Sequence, residues 1–77
     1  MQRIQKKERD QKVEKIIADV YSALKEKGYN PISQLTGYLL SGDPTYITNH
    51  NGARALVTKV DKDEIIEVIL EKYLMNL

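Results

Sequence analysis

The sequence predicts an all-α fold, a small bundle of about four to five helices. Apolar residues recur at helical spacing in two long segments, residues 13–27 and residues 62–77. Asn-Pro and Asp-Pro pairs between those segments are typical of helix starts. Alternating apolar strands joined by hairpin turns are not apparent. The 77 residues suffice for one domain, which we expect over residues 13–77.

The first helix is predicted over residues 13–27. Gly28 ends it, because glycine adopts the left-handed cap conformation without a Cβ clash, and the preceding Lys25 and Lys27 suit the negative end of a helix. The apolar face of this helix is broad enough to pack against more than one neighbour. Its members are Val13, Ile16, Ile17, Val20, Tyr21 and Leu24.

The second helix is predicted to start at Pro31, with Asn30 as its N-cap, and to run to about Leu40. Gly37 lies inside it, at a cost of roughly 1 kcal/mol in helix propensity relative to alanine. A glycine at such a position is best explained by the close approach of another backbone. Residues 41–42 (Ser-Gly) end the helix.

Three shorter elements are predicted between residues 43 and 60. Asp43 and Pro44 repeat the N-cap and first-turn pattern and start a short turn that ends near Thr48. Residues 49–52 form a polar loop, and residues 53–60 form a short helix with its apolar side chains on one side. Residues 45–48 and 56–60 are also rich in residues that favour strands, which makes them the weakest part of the all-α prediction.

The last helix is predicted to begin after Asp61, which forms a capping-box pattern with Glu64. Its apolar stripe is so wide that we expect it to be largely buried, either in its own core or against a partner. The stripe consists of Ile65, Ile66, Ile69, Leu70, Tyr73, Leu74 and Leu77, and Val68 widens it further.

A chain of this size is marginally stable by itself. It contains no cysteine and one histidine, so a disulfide or a structural metal is not expected to stabilise it. Association is the usual remaining solution, and we expect an intertwined homodimer. The predicted dimer interface consists of Gly37, Ile66, Ile69, Leu70 and Tyr73.

Positive charge is concentrated at the start of the chain. Residues 1–12 contain five basic and two acidic residues, a net charge of +3, whereas residues 13–77 have a net charge of −2. We expect residues 1–12 to be a flexible basic tail that extends the first helix, frays from it or is disordered. A nucleic-acid-binding protein that uses this tail is the alternative function, although the acidic remainder makes nucleic acid an unfavoured partner.

The sequence does not indicate an enzyme, a cofactor site or a metal site. The nearest approach to a catalytic triad is Ser41, Asp43 and His50, and a chain of this size rarely builds the shaped pocket that such a triad needs. The acidic residues of the last helix are explained as a solvated and capped helix face. No leader-like or membrane-spanning segment is expected, and the absence of cysteine fits a cytoplasmic protein.

Residues 20–54 carry a specific resemblance. The blocks KEKGYNP (residues 25–31), GYLLSGDP (37–44) and YIT (46–48), followed by Ala53 and Arg54, are similar to the IreB family of small cytoplasmic proteins from Gram-positive bacteria. The acidic start of the last helix and its closing Tyr73-Leu74 also match. The resemblance extends over roughly residues 13–75.

The resemblance implies an all-helical homodimer that regulates rather than catalyses. Studied members resemble substrates of a membrane Ser/Thr kinase that senses the cell wall, and they adjust peptidoglycan synthesis. Their phosphorylated threonines lie in a flexible N-terminal tail. Residues 1–12 of this chain contain neither Ser nor Thr, so the resemblance assigns no phosphorylation site here. Either this member is unphosphorylated, or the site has moved, or this N-terminus is not the native one. Thr45 and Thr48 are the most accessible alternatives for a site that has moved.

Residues 41–54 are the predicted protein-binding surface, because loops held on a rigid scaffold often carry function. Within it we expect Asp43, Tyr46, His50 and Arg54 to contact the partner. Asp43 has an equally good explanation as a simple cap. Tyr46 lies beside a proline-containing cap, so bracing of that turn is favoured over a purely exposed role.

Overall fold

The computed structural model describes the backbone of residues 2–77 and the side chains of residues 8–77. No strand occurs in the described chain, and the all-α prediction is confirmed. The strand-favouring segments lie in turns and in a short helix. The helices are α1 (Gln2–Glu26), α2 (Pro31–Ser41), α3 (Ala53–Val57) and α4 (Lys62–Met75), and two 3-10 turns, Pro44–Tyr46 and His50–Gly52, connect α2 to α3.

Helix α1 is the element against which the rest of the chain packs. It contacts α2, α3, α4 and the second 3-10 turn. Its buried side chains have helical spacing and form one face, as the sequence predicts. Each fully buried Val, Leu or Ile contributes about 1.5–3 kcal/mol of transfer free energy. The core consists of Val13, Ile16, Val20, Ala23, Leu24, Tyr38, Ile47, Ala53, Val57, Val60, Ile65 and Val68.

The predicted boundaries of α2 are confirmed by its caps. The side-chain oxygen of Asn30 accepts a hydrogen bond of 3.0 Å from the backbone N–H of Ser33. At the other end, Gly42 has φ +73° and its N–H donates to the carbonyl of Tyr38 at 2.7 Å. A residue with a Cβ rarely adopts this φ, so glycine is required where the chain leaves the helix.

Helix α4 buries only part of its apolar stripe. The Glu64 carboxylate accepts the backbone N–H of Asp61 at 3.2 Å, as the capping-box pattern predicts. Ile65 and Val68 are buried, but the outward side chains are not. Burial in the core of the same chain therefore does not account for the width of the stripe. The exposed apolar residues are Ile69, Leu70, Tyr73, Leu74, Met75 and Leu77.

Helix α1 begins at Gln2, so the described backbone of the predicted tail continues the first helix. The guanidinium of Arg9 bonds to the carboxylate of Glu67 at 3.1 Å and to that of Asp10 at 3.1 Å. These bonds raise the pKa of Arg9 above its ordinary value, and the bond to Asp10 has the largest effect. The flexibility of residues 1–12 stays a prediction; Met1 and the side chains of residues 2–7 lie outside the described residues.

Candidate protein-binding surface

Asp43 caps the 3-10 turn that follows α2. One of its carboxylate oxygens, Oδ1, accepts the backbone N–H of Thr45 at 3.0 Å and the Thr45 hydroxyl at 2.7 Å. The backbone N–H of Asp43 donates to Ser41 Oγ at 3.0 Å, and that hydroxyl donates to the carbonyl of Gly37 at 2.7 Å. The capping role predicted for Asp43 is thus present, and it fixes the path of the chain between α2 and the turn.

The turn holds the ring of Tyr46 against Gly37. A Cβ atom placed on residue 37 would meet three atoms of the Tyr46 ring, the farthest of them, Cζ, at 3.0 Å. The backbone carbonyl of Tyr46 accepts a bond of 2.8 Å from the Gln34 side chain of α2. The close neighbour expected for Gly37 is therefore an aromatic ring of the same chain rather than another backbone. Tyr46 braces the turn while 41% of it stays exposed.

Ile47 and Arg54 connect this turn to α3. Ile47 is fully buried in the core. Its backbone carbonyl accepts a bond of 2.8 Å from Nε of Arg54, which is a half-buried residue of α3. The Arg54 charge also lies close enough to affect Asp43. Asp43, Tyr46 and Arg54 therefore lie on one rigid connection, with a polar carboxylate, an aromatic ring and a cation on its surface.

The electrostatics of the turn keep Asp43 ionised. The hydrogen bond from the Thr45 hydroxyl lowers the pKa of the Asp43 carboxyl below its ordinary value, and the backbone N–H of Thr45 and the positive charge of Arg54 lower it further. Hydrogen bonds that favour the charged form act in this direction. The surface thus presents a permanent negative charge next to a permanent positive one at neutral pH.

His50 belongs to a different contact. Its Nε2 lies 2.8 Å from Oε1 of Glu26, near the end of α1, and its backbone N–H donates to the Thr48 hydroxyl at 3.2 Å. The neighbouring Asn51 has φ +55°, a left-handed conformation that asparagine tolerates better than most residues. No bond joins His50 to Ser41 or Asp43 in the described residues; Ser41 and Asp43 serve as caps.

Gln34 lies outside the predicted surface of residues 41–54, and the supporting roles of Ile47 and Thr45 within that surface were not predicted. Ile47 carried a usable signal, because it is the one aliphatic side chain in the polar segment between Pro44 and Gly52. Gln34 carried none: its bond to Tyr46 spans 12 residues and depends on how the turn folds back on α2.

The predicted dimer residues of α4 lie beside an open apolar groove between α1 and α4, with a volume of about 600 Å³. Ile69 and Tyr73 line it from α4, while Ile17 and Tyr21 line it from α1. Leu70 is exposed and Ile66 half-buried. At the rim, the Lys72 ammonium lies 3.3 Å from the Glu14 carboxylate. Gly37 is not part of this groove, since the Tyr46 ring covers it.

Among the described side chains, His, Asp and Glu residues do not form a cluster of three or more that is suited to a metal ion. In the same part of the chain, no helix combines the length and the apolar character needed to cross a membrane.

The fold and the surface define a small all-α protein with a rigid, charged and aromatic connection between its helices. A family model described as IreB regulatory phosphoprotein matches residues 1–75. The chain belongs to the IreB regulatory phosphoprotein family, and the resemblance found in its sequence is confirmed.

Proposed function

We propose that this chain is a non-enzymatic regulatory protein that acts by binding another protein through the surface of Asp43, Tyr46 and Arg54. The single observation that carries this proposal is the rigid presentation of the three side chains. Asp43 is fixed by Thr45, Tyr46 by Gly37 and Gln34, and Arg54 by the carbonyl of Ile47. Side chains that are ordered before binding lose little conformational entropy when a partner arrives.

The chemistry of the surface is that of a protein contact. Tyrosine and arginine are enriched among the residues that dominate binding free energy at protein interfaces. A carboxylate beside them supplies an orienting charge. His50, which is bound to Glu26, is a secondary member of the proposed contact and supports the adjacent loop.

Membership of a regulatory phosphoprotein family supports the regulatory role. By resemblance to studied members, we propose cytoplasmic control of peptidoglycan synthesis, with a Ser/Thr kinase and the cell-wall synthesis machinery as the partners. We also propose that the working form is a homodimer.

The second copy is proposed to cover the apolar face of α4. That face leaves Leu70 50% and Tyr73 65% exposed, and the groove against α1 offers an apolar site to the same helix of another copy. An isologous contact places the same residues on both sides of a two-fold axis. We centre the dimer interface on Ile66, Ile69, Leu70 and Tyr73; Gly37, the remaining expected member, lies under Tyr46.

The experiment is partner capture with the unmodified full chain as bait and matched variants. Tyr46→Ala and Arg54→Gln are expected to abolish capture of a protein partner, provided that circular dichroism reports a native helix content. The matched controls are Tyr29→Ala, a second exposed aromatic residue, and Lys59→Gln, a second cation of the same region. Both are expected to retain capture.

Removal of residues 2–12 separates this proposal from nucleic-acid binding. A protein partner bound by residues 43–54 remains bound after the deletion. Binding that is lost with those residues, and that weakens steeply with salt, indicates a nucleic-acid ligand instead. Capture that is unaffected by Tyr46→Ala and Arg54→Gln contradicts the proposed surface.

A further inference from the structure

A second groove runs along α1 on the side that packs against α3, and it is called the α1–α3 groove below. It has a volume of about 440 Å³. Helix α1 lines it between Glu8 and Asp19, and Leu56 and Lys59 line it from α3 and from the turn that follows. The lining residues of α1 recur at three- and four-residue intervals, which places them on one face of the helix. The groove shares no residue with the proposed partner-binding surface or with the groove between α1 and α4.

The floor of the α1–α3 groove is apolar. Ile16 is a core residue with 5% of its surface exposed, and Leu56 is half-buried against the core. Three exposed lysines, Lys12, Lys15 and Lys59, form much of the walls. A lysine in such a position lays its methylene stem along apolar surface and keeps its charge in water. A ligand that fills the groove therefore needs apolar side chains on the face that it presents.

Positive charge is in excess on the walls. Three lysines are accompanied by two carboxylates, those of Glu8 and Asp19, which gives a net charge of +1. The Lys15 ammonium lies 3.3 Å from the Asp19 carboxylate, so these two charges already neutralise each other. In the part of the chain that the structure describes, no carboxylate lies within ion-pair distance of Lys12 or Lys59. These two cations can therefore pair with the carboxylates of a ligand.

The groove between α1 and α4 differs in charge. Its two charged lining residues, Glu14 and Lys72, pair with each other at 3.3 Å, so its net charge is zero. Its apolar lining suits the apolar face of a second copy. The α1–α3 groove combines an apolar floor with unpaired cations, and it therefore favours a ligand that is both apolar and acidic.

The shape of the α1–α3 groove favours a helix as its ligand. Its lining extends over eleven positions of α1, about 16 Å at 1.5 Å per residue. A helix that lies in a groove contacts it through side chains at i, i+3, i+4 and i+7, which cover a similar length. Small-molecule sites enclose most of their ligand, whereas this groove is open. A nucleic acid gains nothing from the apolar floor, because its phosphates make most of the contacts to a protein.

We propose that the α1–α3 groove binds an acidic amphipathic helix of a partner protein. The apolar face of that helix packs on Ile16 and Leu56, and acidic residues beside this face pair with Lys12 and Lys59. Burial of apolar area supplies most of the affinity. The two exposed ion pairs contribute little free energy, but they select an acidic sequence and fix its orientation. This site is additional to the proposed partner-binding surface and does not depend on it.

The probe is a designed, fluorescein-labelled helix of about 15 residues, the length from which an isolated helix becomes stable in water. It has leucine on one face and glutamate on both sides of that face. Fluorescence anisotropy with the full chain is expected to show saturable binding. Two matched peptides, with alanine in place of leucine or lysine in place of glutamate, are expected to bind at least about tenfold more weakly. Equal binding by either matched peptide overturns the proposal.

Two double variants with the same change in net charge test the role of the lysines. Lys12→Gln/Lys59→Gln is expected to weaken binding of the glutamate peptide about 5- to 25-fold, because it removes both ion pairs. Lys25→Gln/Lys27→Gln, outside the groove, is expected to bind like the wild type. All four lysines are exposed, so both variants are expected to keep the helix content of the wild type. Equal losses in the two variants indicate non-specific attraction and contradict the proposal.

NMR chemical-shift mapping on the full chain locates the peptide. The methyl groups of Ile16 and Leu56 are expected to shift on addition of the glutamate peptide. Shifts confined to Ile17 and Tyr73 place the peptide in the groove between α1 and α4, and they overturn the assignment.

Light scattering tests whether a second copy occupies the α1–α3 groove instead. A lower molar mass for Lys12→Gln/Lys59→Gln than for the wild type indicates that it does, and this result also overturns the proposal. Partner capture through the surface of Asp43, Tyr46 and Arg54 is a separate readout, because the two sites share no residue. Failure of peptide binding is therefore distinguishable from failure of the proposed function.

Discussion

The ring of Tyr46 packs against the α-carbon of Gly37, nine positions earlier in the chain, because the turn capped by Asp43 folds back on α2. A Cβ at position 37 has no room beside the ring atoms. Glycine lowers the helix propensity of α2 at this position, but only a residue without a Cβ leaves room for the aromatic ring. This contact fixes the surface on which the proposed function depends.

Gly37→Ala should therefore have opposite effects in two backgrounds. In the wild type it lowers the free energy of unfolding, because overpacking costs about 1–3 kcal/mol against a helix-propensity gain of about 1 kcal/mol. In Tyr46→Ala the ring is absent and the same change raises stability by about 0.5–1 kcal/mol. Urea unfolding of the four proteins measures both effects, and equal effects in the two backgrounds contradict the packing described.

The Asn30 cap gives a second prediction. Asn30→Ala removes the acceptor of the Ser33 N–H and should reduce the free energy of unfolding by about 1 kcal/mol. Asn49→Ala is the matched control, because Asn49 precedes the second 3-10 turn without a side-chain capping bond; its effect should stay within about 0.5 kcal/mol. Thermal or urea unfolding compares them, and equal losses would argue against a specific cap.

Ile47 anchors the turn in the core. Its contribution to stability can be distinguished from that of an apolar residue on the surface. Ile47→Ala removes a fully buried side chain and should cost about 2–5 kcal/mol. Ile32→Ala, at a position that is 77% exposed, should cost less than about 0.5 kcal/mol. If urea unfolding gives similar losses for both, the turn is not anchored as the structure describes.

Acid should weaken the turn through Asp43. The folded state lowers the pKa of this carboxyl, so its contribution to stability is complete above the ordinary value of 3.8 and is lost as the pH falls through the lowered folded-state pKa. Asp43→Asn keeps an acceptor for the Thr45 N–H but cannot titrate. Thr45→Val removes the hydroxyl hydrogen bond that is the main cause of the lowered Asp43 pKa.

The measurement is the urea midpoint from neutral pH to below 3.8 for the wild type and both variants. The wild type should lose stability more steeply in acid than either variant. Parallel curves would show that the Asp43–Thr45 bond does not couple to folding.

The sequence was informative where structure is local. The Asn30-Pro31 and Asp43-Pro44 pairs predicted two element starts at the right residues, because capping depends on neighbours within three or four positions. The buried face of α1 was predicted from the periodicity of its apolar residues alone. The contact of Gly37 with Tyr46, the bond from Gln34 and the pairing of His50 with Glu26 join residues that are distant along the chain, and no local pattern encodes them.

The width of the apolar stripe on α4 was also predicted from the sequence, but the surface against which it packs was not. Helical spacing identifies which side chains share a face, whereas the choice between the chain's own core and a second copy depends on how much of α4 the other helices cover. They cover Ile65 and Val68 and leave Leu70, Leu74 and Leu77 exposed. The homodimer therefore remains the proposal that gives this face a partner.

The molar mass in solution, measured by light scattering across a dilution series, tests that proposal most directly. The full chain should have twice the 8.9 kDa of one copy and dissociate on dilution. Leu70→Glu, on the exposed face of α4, should remain monomeric at all concentrations with native helix content. Leu40→Glu, on the exposed face of α2, should dimerise like the wild type. A folded wild-type monomer at every concentration, or a dimer unaffected by Leu70→Glu, would contradict the α4 interface.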